Sequence, residues 1–288
     1  MLGALLAVVF WGISFVATKS ALRELTPIAL ITGRFVMGSV LLTAMLAARR
    51  EPLLPPRGHW PALALMGFVG VFVHQLLQSY GLTRTTAVRT GWLIGLIPIW
   101  SALLAVVFLR ERLGAMKLTG LVIGFAGAAI VVTRGHLGAG QLALPGTLGD
   151  LLILASTLNW AIYTVLGHGT IRGIGSTRAT AAVMSFGTLL LLPLFVHAHA
   201  WREFATLSPA GIGALLFLGI GCSGLAYRWW YGALERTEAS KVATLLYLEP
   251  LVTLAAAVVL LREEVGIATV LGGLVVLAGV ALVQRSSG

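Results

Sequence analysis

Charge is what this chain has least of. Only 10% of its 288 residues are Asp, Glu, Lys or Arg, where a soluble domain carries about a quarter. So few charged side chains cannot coat a water-exposed surface, which excludes a soluble globular protein. Acidic residues are the scarcer sign, 10 against 20 basic, for a net charge of +10. That excess could suit nucleic acid, but the basic residues stand singly or in small groups at the ends of apolar runs. This is the pattern of membrane-orienting charge, not of a phosphate-binding stripe, so nucleic acid is excluded as a partner. There is one cysteine, Cys222, inside an apolar run. No intrachain disulfide is possible, and the residue reads as a small buried hydrophobe. Catalytic constellations are missing too: no Gly-x-Ser-x-Gly elbow, no His-Glu-x-x-His, no nucleotide-binding loop and no paired aspartates. With one cysteine and scattered histidines, a metal site is not expected either. The expectation is a protein that is not an enzyme and uses neither cofactor nor metal. The first apolar run lacks a basic leading segment and reads as a retained helix, not a signal peptide.

What the chain has is hydrophobicity: 58% of residues are apolar and the mean hydropathy is +0.96. A spanning helix needs about 20 largely apolar residues. Seven charge-free windows meet that need, and three more runs tolerate one charge, containing Lys19, Arg34 and Glu249. The sequence therefore predicts an all-α integral membrane protein with ten transmembrane helices.

The chain also repeats itself. Tyr80-Gly81 recurs as Tyr231-Gly232, Pro98 as Pro250, Glu111 as Glu263, and Gly120 and Gly127 as Gly272 and Gly279, always 151 or 152 residues apart. Residues 1–134 read as a first five-helix repeat, 135–149 as a connecting loop and 150–288 as a second five-helix repeat. Five is odd, so the second copy enters the membrane from the opposite side, and the repeats are inverted about a pseudo-two-fold axis in the membrane plane. With the N-terminus in the cytoplasm, cytoplasmic loops hold 11 Lys and Arg residues against 7 opposite. This predicts both termini in the cytoplasm.

Duplicated membrane units are most often transporters, with the substrate site between the copies. Pro98 and Pro250 sit inside spans four and nine at matching places, where a lost backbone hydrogen bond can bend a helix. Polar and aromatic residues within apolar runs are the remaining candidates. Trp11, Ser14 and Thr18 share a face of span one, and His74, Gln75 and Gln78 share a face of span three, which also carries Tyr80. Trp92 and Trp100 lie in span four, Asn159, Trp160 and Tyr163 in span six, and Ser240, Tyr247 and Glu249 in span nine. Trp92, Trp100 and Trp160 lie too far inside their spans to serve only as interfacial anchors. Lys19 and Arg34 lie near span ends, where a structural or snorkelling role is expected. Glu249 lies near mid-span, and its counterpart in the first half is the apolar Ile97. It could bind a substrate ammonium, carry a coupling proton, or pair with Arg34 or Arg228. GxxxG spacings at Gly91/Gly95 and Gly120/Gly124 read as helix packing.

Trp11-Gly12, Arg34-Phe35, Tyr80-Gly81, the Pro98 helix ending in Leu-Arg-Glu and the mirrored Leu248-Glu249-Pro250…Leu261-Arg262-Glu263 together resemble the EamA family of the drug/metabolite transporter superfamily. The resemblance covers essentially the whole chain. It implies ten helices in a five-plus-five inverted repeat around a central substrate cavity, in a bacterial inner-membrane exporter. The Trp- and Tyr-rich interior looks most like the branch that exports aromatic and other apolar amino acids. The expected function is alternating-access export of such amino acids, with protons as a candidate coupling ion. A broad drug or metabolite exporter is the alternative. A passive channel fits less well, because the polar residues are scattered and do not form a continuous lining.

Overall fold

The computed structural model describes residues 2–109, 114–133, 146–170, 174–234 and 244–285. There is no strand among them. The helices are α1 (Leu2–Ala21), α2 (Pro27–Ala48), α3 (Arg57–Leu82), α4 (Ala87–Ile94), α5 (Ile97–Leu109) and α6 (Ala115–Thr133). They continue as α7 (Gly146–Thr170), α8 (Ser176–His197), α9 (Pro209–Trp230, running on to Leu234), α10 (Glu249–Leu261) and α11 (Ile267–Arg285). Six of them, α1, α2, α3, α6, α8 and α9, are long and apolar enough to cross a membrane, and α10 and most of α11 are shorter apolar helices. Large hydrophobic side chains such as Val40, Val122, Leu189 and Val259 point outward and exposed. Such a surface is costly in water and suited to lipid, so the molecule is an integral membrane protein.

Local sequence explains where several helices start. Thr26-Pro27 opens α2 and Ser208-Pro209 opens α9; each hydroxyl accepts the amide of the residue three further on, from Ala29 and Gly211. The proline takes the first helical position, where its missing N–H costs nothing. Thr86 caps α4 in the same way through the Arg89 amide. Helix α7 starts at Gly146, ahead of Asp150, so residues 146–149 of the expected connecting stretch are helical. Its remainder, 135–145, lies outside the described residues.

The expected bends at Pro98 and Pro250 fall just ahead of the prolines, not at them. The fourth span breaks at Gly95-Leu96, whose amides bond back three residues to the Trp92 and Leu93 carbonyls. Pro98 is then the second residue of α5. Likewise Thr244–Leu248 is a 3₁₀ turn, and Pro250 is the second residue of α10. Each proline starts a fresh helix because a first turn needs no amide from it.

Repeated glycines meet one another across the molecule. A Cβ on Gly120 would stand 2.7 Å from the Gly279 carbonyl oxygen, and one on Gly127 would stand 2.7 Å from that of Gly272. The pairing runs in opposite order along α6 and α11, so the two helices cross antiparallel with their backbones in contact.

Stretches with π-helical hydrogen bonding interrupt α3 at Phe68–Val73 and α9 at Phe217–Ala226, near one another in the register in which the sequence landmarks recur. Such bulges rotate the helix that follows and expose carbonyls to other donors. Here Asn159 on α7 donates its side-chain amide to the Val69 carbonyl at 2.7 Å.

Candidate functional site

A cavity lies where the broken helices meet α1, α2, α3, α7 and α9. It contains about 1000 Å³ of atom-free space, part of it continuous with the outside. Both broken helices face it: Ile97 and Pro98 from α5, Glu249 and Pro250 from α10. The repeat-related pair Ile97 and Glu249 thus occupies one chamber, apolar on one side and acidic on the other.

Glycines hold the start of α10 in place. A Cβ on Gly12 would lie 2.8 Å from Val252 and 3.1 Å from the Glu249 carbonyl oxygen, and one on Gly91 would lie 2.8 Å from the Thr253 Cβ. Helices α1 and α4 therefore grip the first turn of α10 at van der Waals contact. The Thr253 hydroxyl is shared between the Gly12 and Glu249 carbonyls, at 2.9 Å from each. Glu249 is buried at 8% exposure, and among the described residues its carboxylate has no hydrogen bond and no ion pair, with Arg34, Arg228 or any other group.

One wall is aromatic. Trp11, Trp160, Tyr227 and Trp230 line it. Trp11 sits 5.4 Å from Tyr227 and 5.3 Å from Trp230 between ring centres, and its Nε1 donates to the Cys222 carbonyl at 3.3 Å. The stretches after the two π-helical segments supply polar groups on α3 and aromatic ones on α9. His74 donates from Nδ1 to the Ser156 carbonyl at 3.0 Å, and its Nε2 lies 3.5 Å from the Gln78 amide nitrogen. The carbonyl contact requires the Nδ1–H tautomer, which leaves Nε2 as the acceptor. Gln75 presents a buried Oε1 that has no hydrogen-bond partner among the described residues.

Of the residues singled out from sequence, Trp11, Ser14, His74, Gln78, Pro98, Trp160, Glu249 and Pro250 line the cavity. Thr18, Tyr80, Trp92, Trp100, Asn159 and Tyr163 do not. Thr18 is buried towards the end of α1 and Tyr80 is exposed. Trp92 is fully buried over Gly273, and Trp100 donates to the Thr157 hydroxyl at 2.9 Å. Asn159 is occupied by the Val69 carbonyl, and Tyr163 covers Gly70. Ser240 lies outside the described residues, as does the side chain of Tyr247. Gln75, which shares the face of His74 and Gln78, lines the cavity as well; Tyr227 and Trp230 were not singled out from sequence as lining, nor above all was Arg34, placed there near a span end. Arg34 is 6% exposed, and its Nε donates 2.8 Å to the Ser223 hydroxyl within the π-helical stretch of α9.

Beyond the cavity, one end of the bundle is laced by charges set at helix termini. Lys19 donates to the Leu82 carbonyl at 2.8 Å and to that of Thr85. Thr85 donates to Asp150, the sole aspartate of the chain, which also pairs with Arg89. Arg89 reaches the Val131 and Val132 carbonyls at the end of α6. Glu263 accepts the Ala87 and Val88 amides at the start of α4. Glu203 caps Thr26, and Glu24 caps Ser208, each through backbone amide and hydroxyl. Cations thus sit on helix C-termini and carboxylates on N-termini, matching the helix dipoles.

The described residues form a helical, lipid-facing bundle around a polar and aromatic cavity, the architecture of a polytopic membrane protein. The comparisons agree. A family model described as the EamA-like transporter family matches residues 1–133 and 147–285, and the chain belongs to that family. It is 33% identical over 278 residues to an uncharacterized transporter of Archaeoglobus fulgidus, covering 96% of this chain and 94% of the relative. It is 30% identical over 285 residues to a protein of Streptantibioticus cattleyicolor named "Probable terminal-alkyne amino-acid exporter", covering 97% of this chain and 91% of the relative. One solved crystal structure aligns over 100% of this chain and 98% of its own, with a TM-score of 0.67 at 20% identity, a likeness of fold.

Proposed function

We propose that this chain is a secondary transporter exporting apolar or aromatic amino acids by alternating access across the inner membrane. The observation that carries the reading is the cavity itself: aromatic faces from α1, α7 and α9 suit an apolar side chain, and buried polar groups sit beside them. The exporter name carried by one relative speaks for the same substrate class. In this reading α4 and α5 together make one crossing, giving ten, and residues 1–134 and 150–288 form two inverted repeats joined by 135–149. The two-part family match and the antiparallel glycine contacts of α6 and α11 support that division. The charge-laced end acts as the closed gate, and the turns before Pro98 and Pro250 act as the hinges that change when it opens.

Reconstitution tests the reading. Proteoliposomes of the full chain are expected to take up phenylalanine or leucine well above empty liposomes, and to take up sugars and quaternary amines little or not at all. Equal uptake of unrelated apolar cations would favour the broad exporter. Passage of all solutes at rates that never saturate would favour a channel.

A further inference from the structure

The cavity holds a buried cation and a buried carboxylate that do not satisfy one another. Arg34 comes from α2 and Glu249 from α10, and both line the same space. Arg34 has one hydrogen-bond partner among the described residues, the Ser223 hydroxyl on Nε, and no carboxylate within 4.0 Å. Its two terminal nitrogens are therefore left for something else. Glu249 is left in the same position. An unpaired charge in a low-dielectric interior is expensive and persists when function requires it. Direct pairing of Arg34 with Glu249 would remove the cost of both, and the structure keeps them apart. The Ser223 contact fixes the guanidinium against α9, while Gly12 and Gly91 seat the start of α10 against α1 and α4.

The geometry points to a split zwitterion clamp: Arg34 receives the carboxylate of the transported solute and Glu249 its ammonium. The clamp rests on the amino-acid reading above and makes it specific. A plain amine would leave Arg34 unpaired, and a plain carboxylate would leave Glu249 unpaired. A molecule carrying both groups satisfies both residues at once and turns its side chain to Trp11, Trp160 and Tyr227. The planar guanidinium suits a carboxylate better than an ammonium would, since it can donate two parallel bonds. The buried, unpartnered Oε1 of Gln75 adds an acceptor for the solute's N–H groups.

The test needs one aromatic scaffold in three charge states. Labelled L-phenylalanine uptake into proteoliposomes of the full chain is competed with unlabelled phenylalanine, phenethylamine and 3-phenylpropionate. For the wild type, each single-charge analogue is expected to compete about tenfold or more weakly than phenylalanine, the size of one lost charge-assisted contact. Arg34→Gln should weaken phenylalanine and phenylpropionate by a similar factor and leave phenethylamine within about twofold. Glu249→Gln should do the reverse, sparing phenylpropionate. Arg34→Lys should recover part of the loss, because the charge returns without the fork. Analogues that compete as well as phenylalanine, or variants that shift all three ligands alike, would overturn the clamp while leaving amino-acid export intact. If the glutamine variants fail to insert, the wild-type analogue series decides alone. Wild-type liposomes that move other solutes but no amino acid would overturn the export reading and the clamp together.

Discussion

Trp160 shows what a single side chain can contribute here. Its ring lies 4.9 Å from His74, 5.0 Å from Tyr163 and 6.5 Å from Tyr227, so it joins the polar face of α3 to the aromatic wall of α9. Trp160→Ala should weaken transport of phenylalanine or leucine roughly tenfold and that of alanine far less, because only a large apolar side chain reaches the lost ring. Side-by-side concentration dependence in liposomes checks it; equal losses for large and small substrates would contradict it. Glu24 offers a pH-dependent residue outside the membrane. The Ser208 amide and hydroxyl hold its carboxyl below the ordinary carboxylate range. A group with a depressed folded value stabilises fully above the unfolded value, about 4.3 for glutamate, and loses its contribution as pH falls through the folded value. Thermal stability in detergent should therefore fall on acidification below about pH 4.3, and Glu24→Gln should flatten part of that fall. At this scale the sequence was legible wherever a polar or aromatic residue interrupts an apolar run. That signal could not separate a residue facing solute from one serving a neighbouring carbonyl, which is why Asn159 and Trp100 stood beside Trp160. Arg34 was passed over because seven residues from a helix start reads as a snorkelling position; only Ser223, 189 residues away, reveals its setting.

Among elements, α6 and α11 pack backbone against backbone where glycines oppose each other. Gly127→Leu would drive a side chain into the Gly272 carbonyl and the Val276 amide of α11, with no flexible group to yield. A loss of about 1–3 kcal/mol is expected from overpacking, read as earlier thermal unfolding. Gly213→Ala is the control, since a Cβ there meets nothing within 4 Å. It should be neutral or slightly stabilising, as alanine is the better helix former. The glycine register was visible in the sequence because it repeats with the same spacing as the other landmarks. The π-helical stretches were not, since Phe68–Val73 and Phe217–Ala226 read as ordinary apolar helix. The helix breaks were visible only through the prolines, and were placed a turn late because a proline marks a start as readily as a kink.

For the whole molecule, orientation remains the most direct property to measure. A reporter that fluoresces only in the cytoplasm, fused after Gly288, should be bright if both termini lie inside, as the basic-residue bias and an even number of crossings predict. A stable, inserted but dark fusion would reverse the topology. The glycine contacts between α6 and α11 have a further consequence. Gly120 meets Gly279 and Gly127 meets Gly272, so each element of the seam touches the counterpart of the other. A surface that recognises its own copy in this crossed order is isologous, the contact that a two-fold homodimer makes. A half-length protein carrying α6 alone would already own both sides of that interface, provided its copies inserted in opposite orientations. The covalent link between the halves is then dispensable for the seam. Separately expressed fragments 1–134 and 135–288 should find each other in the membrane and co-purify, and Gly127→Leu in the first fragment should abolish the association.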